Sequence, residues 1–126
     1  MTTIYKICLA DEWEAAVRAG AFQGSAVDLR DGYIHFSAVE QVAETAARHF
    51  AGQSDLVLVA VAADTLSADL KWVPSRGGAL FPHLYRPLPT SAALWVKPLP
   101  LDAAGRHVFP PPADGYHAGD RTGRTQ

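Results

Sequence analysis

Asp31-Gly32-Tyr33-Ile34-His35-Phe36-Ser37-Ala38-Val39-Glu40 joins two kinds of pattern in ten residues. Tyr33 to Phe36 is a run of β-formers behind a glycine turn and reads as a short strand. Ser37-Ala38-Val39-Glu40 then has the spacing of a capping box. That spacing predicts a helix running to about Ala51, with Val39, Val42, Ala43, Ala46 and Phe50 on one stripe and Gly52 as its stop. His35 thus sits just ahead of a helix N-terminus. Such junctions gather side chains and orphan amide N–H groups and often hold anions.

Upstream, Ile4 to Leu9 alternates and carries β-formers, so it reads as a first strand. Asp11 with Glu14 caps a helix whose inner face is Trp13, Ala16 and Val17, and Gly20 ends it. Ala21 to Arg30 looks irregular. Downstream, Leu56 to Val61 is a continuous apolar run that suits a central strand buried on both faces. Lys71 to Val73 and Ala92 to Lys97 read as strands, and His107 to Phe109 as a last short one. Pro74 to Gly78 is a loop. Phe81 to Pro89 carries prolines, which remove ladder donors, so it reads as an edge strand or an ordered loop. Two early helices and mostly late strands point to an α+β fold. Residues 1–110 form one expected domain. Residues 111–126 are polar, lack a core pattern and are expected to be disordered.

Composition narrows the function. A chain of 126 residues with 48% hydrophobic and 19% charged residues suits one globular core. A net charge of −2 gives no basic face for duplex nucleic acid. Cys8 is the lone cysteine, so neither an internal disulfide nor a cysteine metal site can form. The first residues lack the pattern of a secretory signal, and the longest apolar run falls far short of the ~20 residues that span a bilayer. The expectation is a cytoplasmic protein that does not enter membranes.

The segment from Pro74 to Tyr85 is the densest in chemistry. It offers a cation in Arg76, a pliant backbone at Gly77 and Gly78, an imidazole in His83 and a phenol in Tyr85. Loops of this kind hold phosphates through backbone N–H groups and an arginine fork. The bland alternative is a structural loop that packs its own aromatics. Ser37 reads first as a helix cap, and no nucleophile elbow accompanies it, which rules out a serine hydrolase. His35, His83 and His107 lack metal-site spacing, so no metal is expected. Asp28, Asp31 and Asp55 read as turn or cap residues. Trp13, Trp72 and Trp95 read as core, and His49 as solvated on the polar side of its helix. By pattern alone, His35 is a satisfied strand residue.

Several segments together resemble one family. They are I-Y-K-I at the start, Trp13 in the first helix, D-G-Y-I-H-F-S, Gln41 and Thr45 in the next helix, D-L-V-L-V, K-W-V-P-S-R-G-G and F-P-H-L-Y. In order and spacing, over about residues 4 to 110, they resemble the domain of unknown function 952 family. The resemblance implies an ADP-ribosyltransferase-like fold: a split pair of small β-sheets with flanking helices and NAD in the cleft between them. The RNA 2′-phosphotransferases of that fold carry a strand-borne histidine in a V-H-L-S-like segment, and His35 in I-H-F-S is similar. This chain has Tyr5 and Lys6 where those enzymes carry a first-strand His or Arg. It has no Glu near Phe81 to His83, where protein-modifying transferases place one.

On this resemblance the expectation is a nucleotide-binding protein that takes NAD as co-substrate and transfers ADP-ribose to a small molecule or a nucleic-acid end. His35 and His83 are the expected catalytic residues. Tyr5, Lys6, Tyr33, Ser37, Arg76, Gly77, Gly78 and Tyr85 are the expected binding residues. Arg76 forks the pyrophosphate and Tyr5 or Tyr33 stacks on nicotinamide. His83 and Tyr85 bond ribose hydroxyls or move a proton. Two other readings stand beside it: a non-enzymatic module that binds a nucleotide or phosphorylated metabolite, and an interaction domain docking through Phe81 to Pro89. The oligomeric state is not legible.

Overall fold

The computed structural model describes residues 2–110, apart from the side chains of Ser67 and Arg76. The tail expected at 111–126 lies outside the described residues. In chain order the elements are β1 (Thr3–Leu9), α1 (Ala10–Ala19), β2 (Ala21–Phe22), α2 (Ala26–Asp31), β3 (Ile34–His35), β4 (Ser37–Ala38), α3 (Val42–His49), β5 (Leu56–Ala62), β6 (Leu70–Pro74), β7 (Leu80–Leu84), β8 (Leu88–Pro89) and β9 (Ala93–Pro98). The fold is α+β, and among the described residues its strands form three antiparallel sheets. Their orders are β4-β1-β5-β9, β3-β7-β6 and β2-β8. No described helix is long and apolar enough to cross a membrane.

The apolar run at 56–61 is the inner strand that its pattern predicts. β5 pairs with β1 from Leu9↔Leu56 to Thr3↔Ala62, and with β9 on its other side. Side chains alternate across a strand, so β1 and β5 feed two cores. Ile4, Cys8, Val59 and Val61 meet Trp13 and Ala16 of α1 on one face. Tyr5, Ile7, Leu58 and Ala60 meet Val42 and Ala46 of α3 on the other. Burial there pushes the Cys8 thiol up to about 12.

Four local expectations are corrected. Ser37 does not cap a helix: with Ala38 it pairs against Tyr5 and Ile4 as β4. The Gln41 side chain takes over the turn by accepting the Ala38 N–H at 2.8 Å, and α3 runs only from Val42 to His49. At α1, the Leu9 N–H donates to Glu12 Oε1 at 3.3 Å, so the helix starts ahead of Asp11. The segment 21–30 is ordered, as β2 and α2. Finally, Phe81 to Leu84 lies in the middle strand of its sheet, not at an edge. Proline is tolerated there because a residue's N–H and C=O leave a strand on the same side. The Pro82 carbonyl accepts the Phe36 N–H, so its missing donor also faces past the end of β3, which stops at His35.

Smaller differences follow from burial. Trp13 is core, but Trp72 is 40% exposed. His107 makes only an isolated bridge with Leu101, and its Nε2 lies 3.0 Å from the Gln53 carbonyl.

Leu58 is fully buried and Leu29, on α2, is 66% exposed. Leu58→Ala is expected to cost about 3 kcal/mol, whereas Leu29→Ala changes stability by less than about 0.5 kcal/mol. Urea unfolding of the two variants checks the assignment of core and surface.

Candidate functional site

β4 pairs with β1 only at Ile4 and Tyr5. Beyond Tyr5, that side of β1 meets no strand among the described residues, and a cavity of about 490 Å³ opens beside Tyr5, Lys6 and Ile7. Tyr33, His35 and His83 line it from the strands β3 and β7 and the turn before them. Arg30 and Asp31 line it from the end of α2.

Lys6 explains how the site is built. It lies on β1 between Ile4 and Cys8, so alternation turns it toward the interior, and its side chain is only 5% exposed. A buried ammonium needs a counter-charge. Asp28 of α2 supplies it, with Oδ2 at 2.7 Å and Oδ1 at 3.0 Å from Lys6 Nζ. The Phe22 ring lies 5.9 Å from the same ammonium.

Asp28 does more than pair Lys6. Its Oδ2 accepts the Ser25 N–H at 2.9 Å, which caps α2. Its Oδ1 accepts the His35 N–H at 3.1 Å and lies 2.6 Å from His35 Nδ1. Burial pushes this carboxyl up, but the His35 hydrogen bond, the Lys6 charge and hydrogen bond and the Ser25 N–H outweigh it, holding the group at about 2. The chain makes room for this carboxylate at Gly24. Its φ is +123°, and a Cβ there would fall 2.8 Å from Asp28 Cβ.

The other nitrogen of His35, Nε2, lies 3.0 Å from Asp31 Oδ2. Both ring nitrogens therefore face carboxylates, an arrangement the doubly protonated ring satisfies in full. Asp31 also pairs with Arg30 Nε at 2.9 Å, and that hydrogen bond lowers the Asp31 carboxyl below its ordinary value.

His83 stands opposite His35 in the β3–β7 register, with ring centroids 5.5 Å apart. Tyr33 stacks on His83 at 4.0 Å and 17°, and tilts against His35 at 4.6 Å and Tyr85 at 5.2 Å. Burial, helped by the charge of His35, pushes the His83 imidazole below its ordinary value. His83 Nδ1 is buried without a hydrogen-bond partner among the described residues.

The structure therefore brings together Tyr5, Lys6, Tyr33, His35, Ser37 and His83. Ser37 Oγ shares a hydrogen bond of 3.0 Å with Thr45 Oγ1. Tyr85 joins through its ring contact with Tyr33. The Arg76–Gly78 turn stands apart: Ser75 reaches the cavity, whereas Gly77 and Gly78 are exposed, with φ of +67° and +84°. The Gly78 N–H is spent inside the turn on the Ser75 carbonyl at 2.7 Å. Asp28 and Asp31, which the sequence offers only as turn or cap residues, both belong to the site. The sequence signal for Asp28 was Lys6, a cation at an inward strand position that demands a buried carboxylate.

Asp28 has a lowered folded-state pKa, so its contribution is present above its unfolded value of 3.8 and lost as pH falls through about 2. The window is therefore pH 4 to 2, and the loss there is expected to be about 2 kcal/mol. Asp28→Asn removes that pH dependence and costs about 3 kcal/mol at neutral pH by leaving Lys6 buried without its counter-charge. Chemical unfolding at several pH values measures both effects.

Comparison with known proteins gives the chain its relatives. The crystal structure of Protein CC0527 from Caulobacter crescentus is 58% identical, with 85% of this chain and 94% of that chain covered and a TM-score of 0.83. The solution NMR structure of CC0527 is 55% identical over 96% of this chain and 100% of that one, with a TM-score of 0.78. No curated protein matches the chain. The model of the family described as "Protein of unknown function (DUF952)" matches residues 7–96, and the chain belongs to this family.

Proposed function

We propose that the cleft binds NAD or a related nucleotide, in an ADP-ribosyltransferase-like arrangement, and transfers ADP-ribose to a small molecule or a nucleic-acid end. The observation that carries this reading is the cross-strand pair His35 and His83, with Tyr33 stacked between sheet and cavity, beside the open edge of β1. Aromatic and imidazole rings on one wall suit a planar base, and the exposed guanidinium of Arg30 at the rim suits its phosphates.

In the proposed reaction the ribose C1′–nitrogen bond breaks and nicotinamide leaves with the electron pair. A lone pair of the acceptor forms the new bond to C1′, and the acceptor's proton passes to a base. His83 suits that role, because burial favours its neutral imidazole. His35, fixed through Nδ1 by Asp28, orients the ribose. Arg30 at the rim, with 72% of its side chain exposed, would exchange its contact with Asp31 for the pyrophosphate.

A second reading, a binding module without turnover, has one observation in its favour. Both nitrogens of His35 already face carboxylates, which leaves that ring no idle proton acceptor.

Incubation with NAD separates the two. The transferase releases nicotinamide in step with acceptor modification, and the module shows saturable binding with no product. His35→Ala is expected to weaken NAD binding at least ~tenfold while urea unfolding stays cooperative, since Asp28 keeps Lys6 as its partner. Absence of any NAD binding at millimolar concentration defeats both readings.

A further inference from the structure

We infer that a proton on His35 operates a latch at the mouth of the cavity: the doubly protonated ring ties Asp31, at the end of α2, to β3, and loss of one proton releases that tie while Asp28 keeps the ring in place. The latch belongs to the protein without a ligand and stands apart from the nucleotide reading.

The ring meets acceptors at both ends. Nδ1 lies 2.6 Å from Asp28 Oδ1, and Nε2 lies 3.0 Å from Asp31 Oδ2. Ionised carboxylates only accept, so each contact needs an N–H. A neutral imidazole has one N–H and one lone pair. After deprotonation one carboxylate therefore faces a lone pair, and two acceptors repel.

The surroundings decide which contact gives way. The Asp28 carboxylate is 1% exposed and is fixed by Lys6, by the Ser25 N–H and by the His35 N–H. Asp31 is 27% exposed, and its other partner, Arg30, lies on the surface. The proton therefore stays on Nδ1, and the Asp31 contact opens. Neither carboxyl takes up the lost proton: Asp28 is held at about 2, and the Arg30 hydrogen bond keeps Asp31 below its ordinary value. His83 faces the ring from β7 and Tyr33 from the turn before β3. Burial favours the neutral imidazole of His83 and raises the Tyr33 phenol, so neither supplies a counter-charge. Lys6 of β1 acts on the ring through Asp28, and Arg30 through Asp31.

The motion is one of side chains, because the Gly32 N–H still holds the end of α2 on the Asp28 carbonyl at 2.8 Å. Arg30, Asp31 and His35 all line the cavity. The opened latch shifts charge at the mouth and presents Nε2 to the cavity as a proton acceptor.

NMR of the full-length chain without ligand, from about pH 5 to pH 9, tests the latch. The ring nitrogen shifts of His35 report which nitrogen carries a proton, and three-bond couplings report the χ1 rotamer of Asp31. As His35 loses its second proton, Nε2 is expected to become the bare nitrogen. The His35-facing rotamer of Asp31 is expected to lose about half of its population or more at the same midpoint. In Asp31→Asn the side-chain amide can donate or accept by turning over, so one rotamer is expected to persist across the range. Loss of the proton from Nδ1 instead, a ring that keeps both protons throughout, or an Asp31 rotamer blind to the His35 titration each overturns the latch. A rotamer change that persists in Asp31→Asn overturns its assignment to the Nε2 contact. No NAD enters the measurement, so its failure leaves the nucleotide reading standing.

Discussion

One buried ion pair organises this molecule. Lys6 points inward from a strand that is otherwise apolar, and the low-dielectric interior makes its charge costly unless a carboxylate meets it. Asp28 does so and spends its remaining capacity on Ser25 and His35. A single carboxylate thereby ties β1, the start of α2 and β3 together. Replacing such a pair with apolar groups is often tolerated, whereas removing one partner is not. Its value here is geometric: α2 must sit where it does, and that places Arg30 and Asp31 at the cavity rim.

The shortness of the flanking strands makes the cavity. β4 pairs with β1 over two residues and β3 pairs with β7 instead, so neither closes the edge of β1 beyond Tyr5. The same brevity lets Pro82 occupy a middle strand, since the side of β7 that lacks a donor faces past the end of β3. A longer β3 would need that donor, and a longer β4 would cover the β1 edge. The opening and the proline both lie where the chain crosses at Phe36 from β3 to β4.

Much of the scaffold was legible in the sequence. β1, β5, β6 and β9 follow from local alternation or continuous burial, and α1 ends where Gly20 takes a left-handed conformation, φ +91°. By pattern alone His35 reads as a satisfied strand residue; the family resemblance singles it out with His83 and Tyr33, and the structure brings the three to one cavity. What stayed hidden depends on partners distant in the chain. Ser37 has the spacing of a cap, but pairing with Tyr5 outweighs a local preference of about 1 kcal/mol. Asp28 reads as a cap and is one, and nothing local announces that it also meets a lysine 22 residues away. Asp31 closes an i,i+4 contact with His35 across the end of a helix that the sequence pattern did not predict.

The two contacts of His35 differ in kind, and the difference bears on what the site can do. The Nδ1 contact is made to a carboxylate that is 1% exposed, and nothing entering from solvent competes for it. The Nε2 contact is made to Asp31, whose side chain is 27% exposed at the cavity rim. An incoming ligand therefore leaves the ring's orientation fixed and bargains only for Nε2. Asp28 holds the ring from behind whatever becomes of the Nε2 contact.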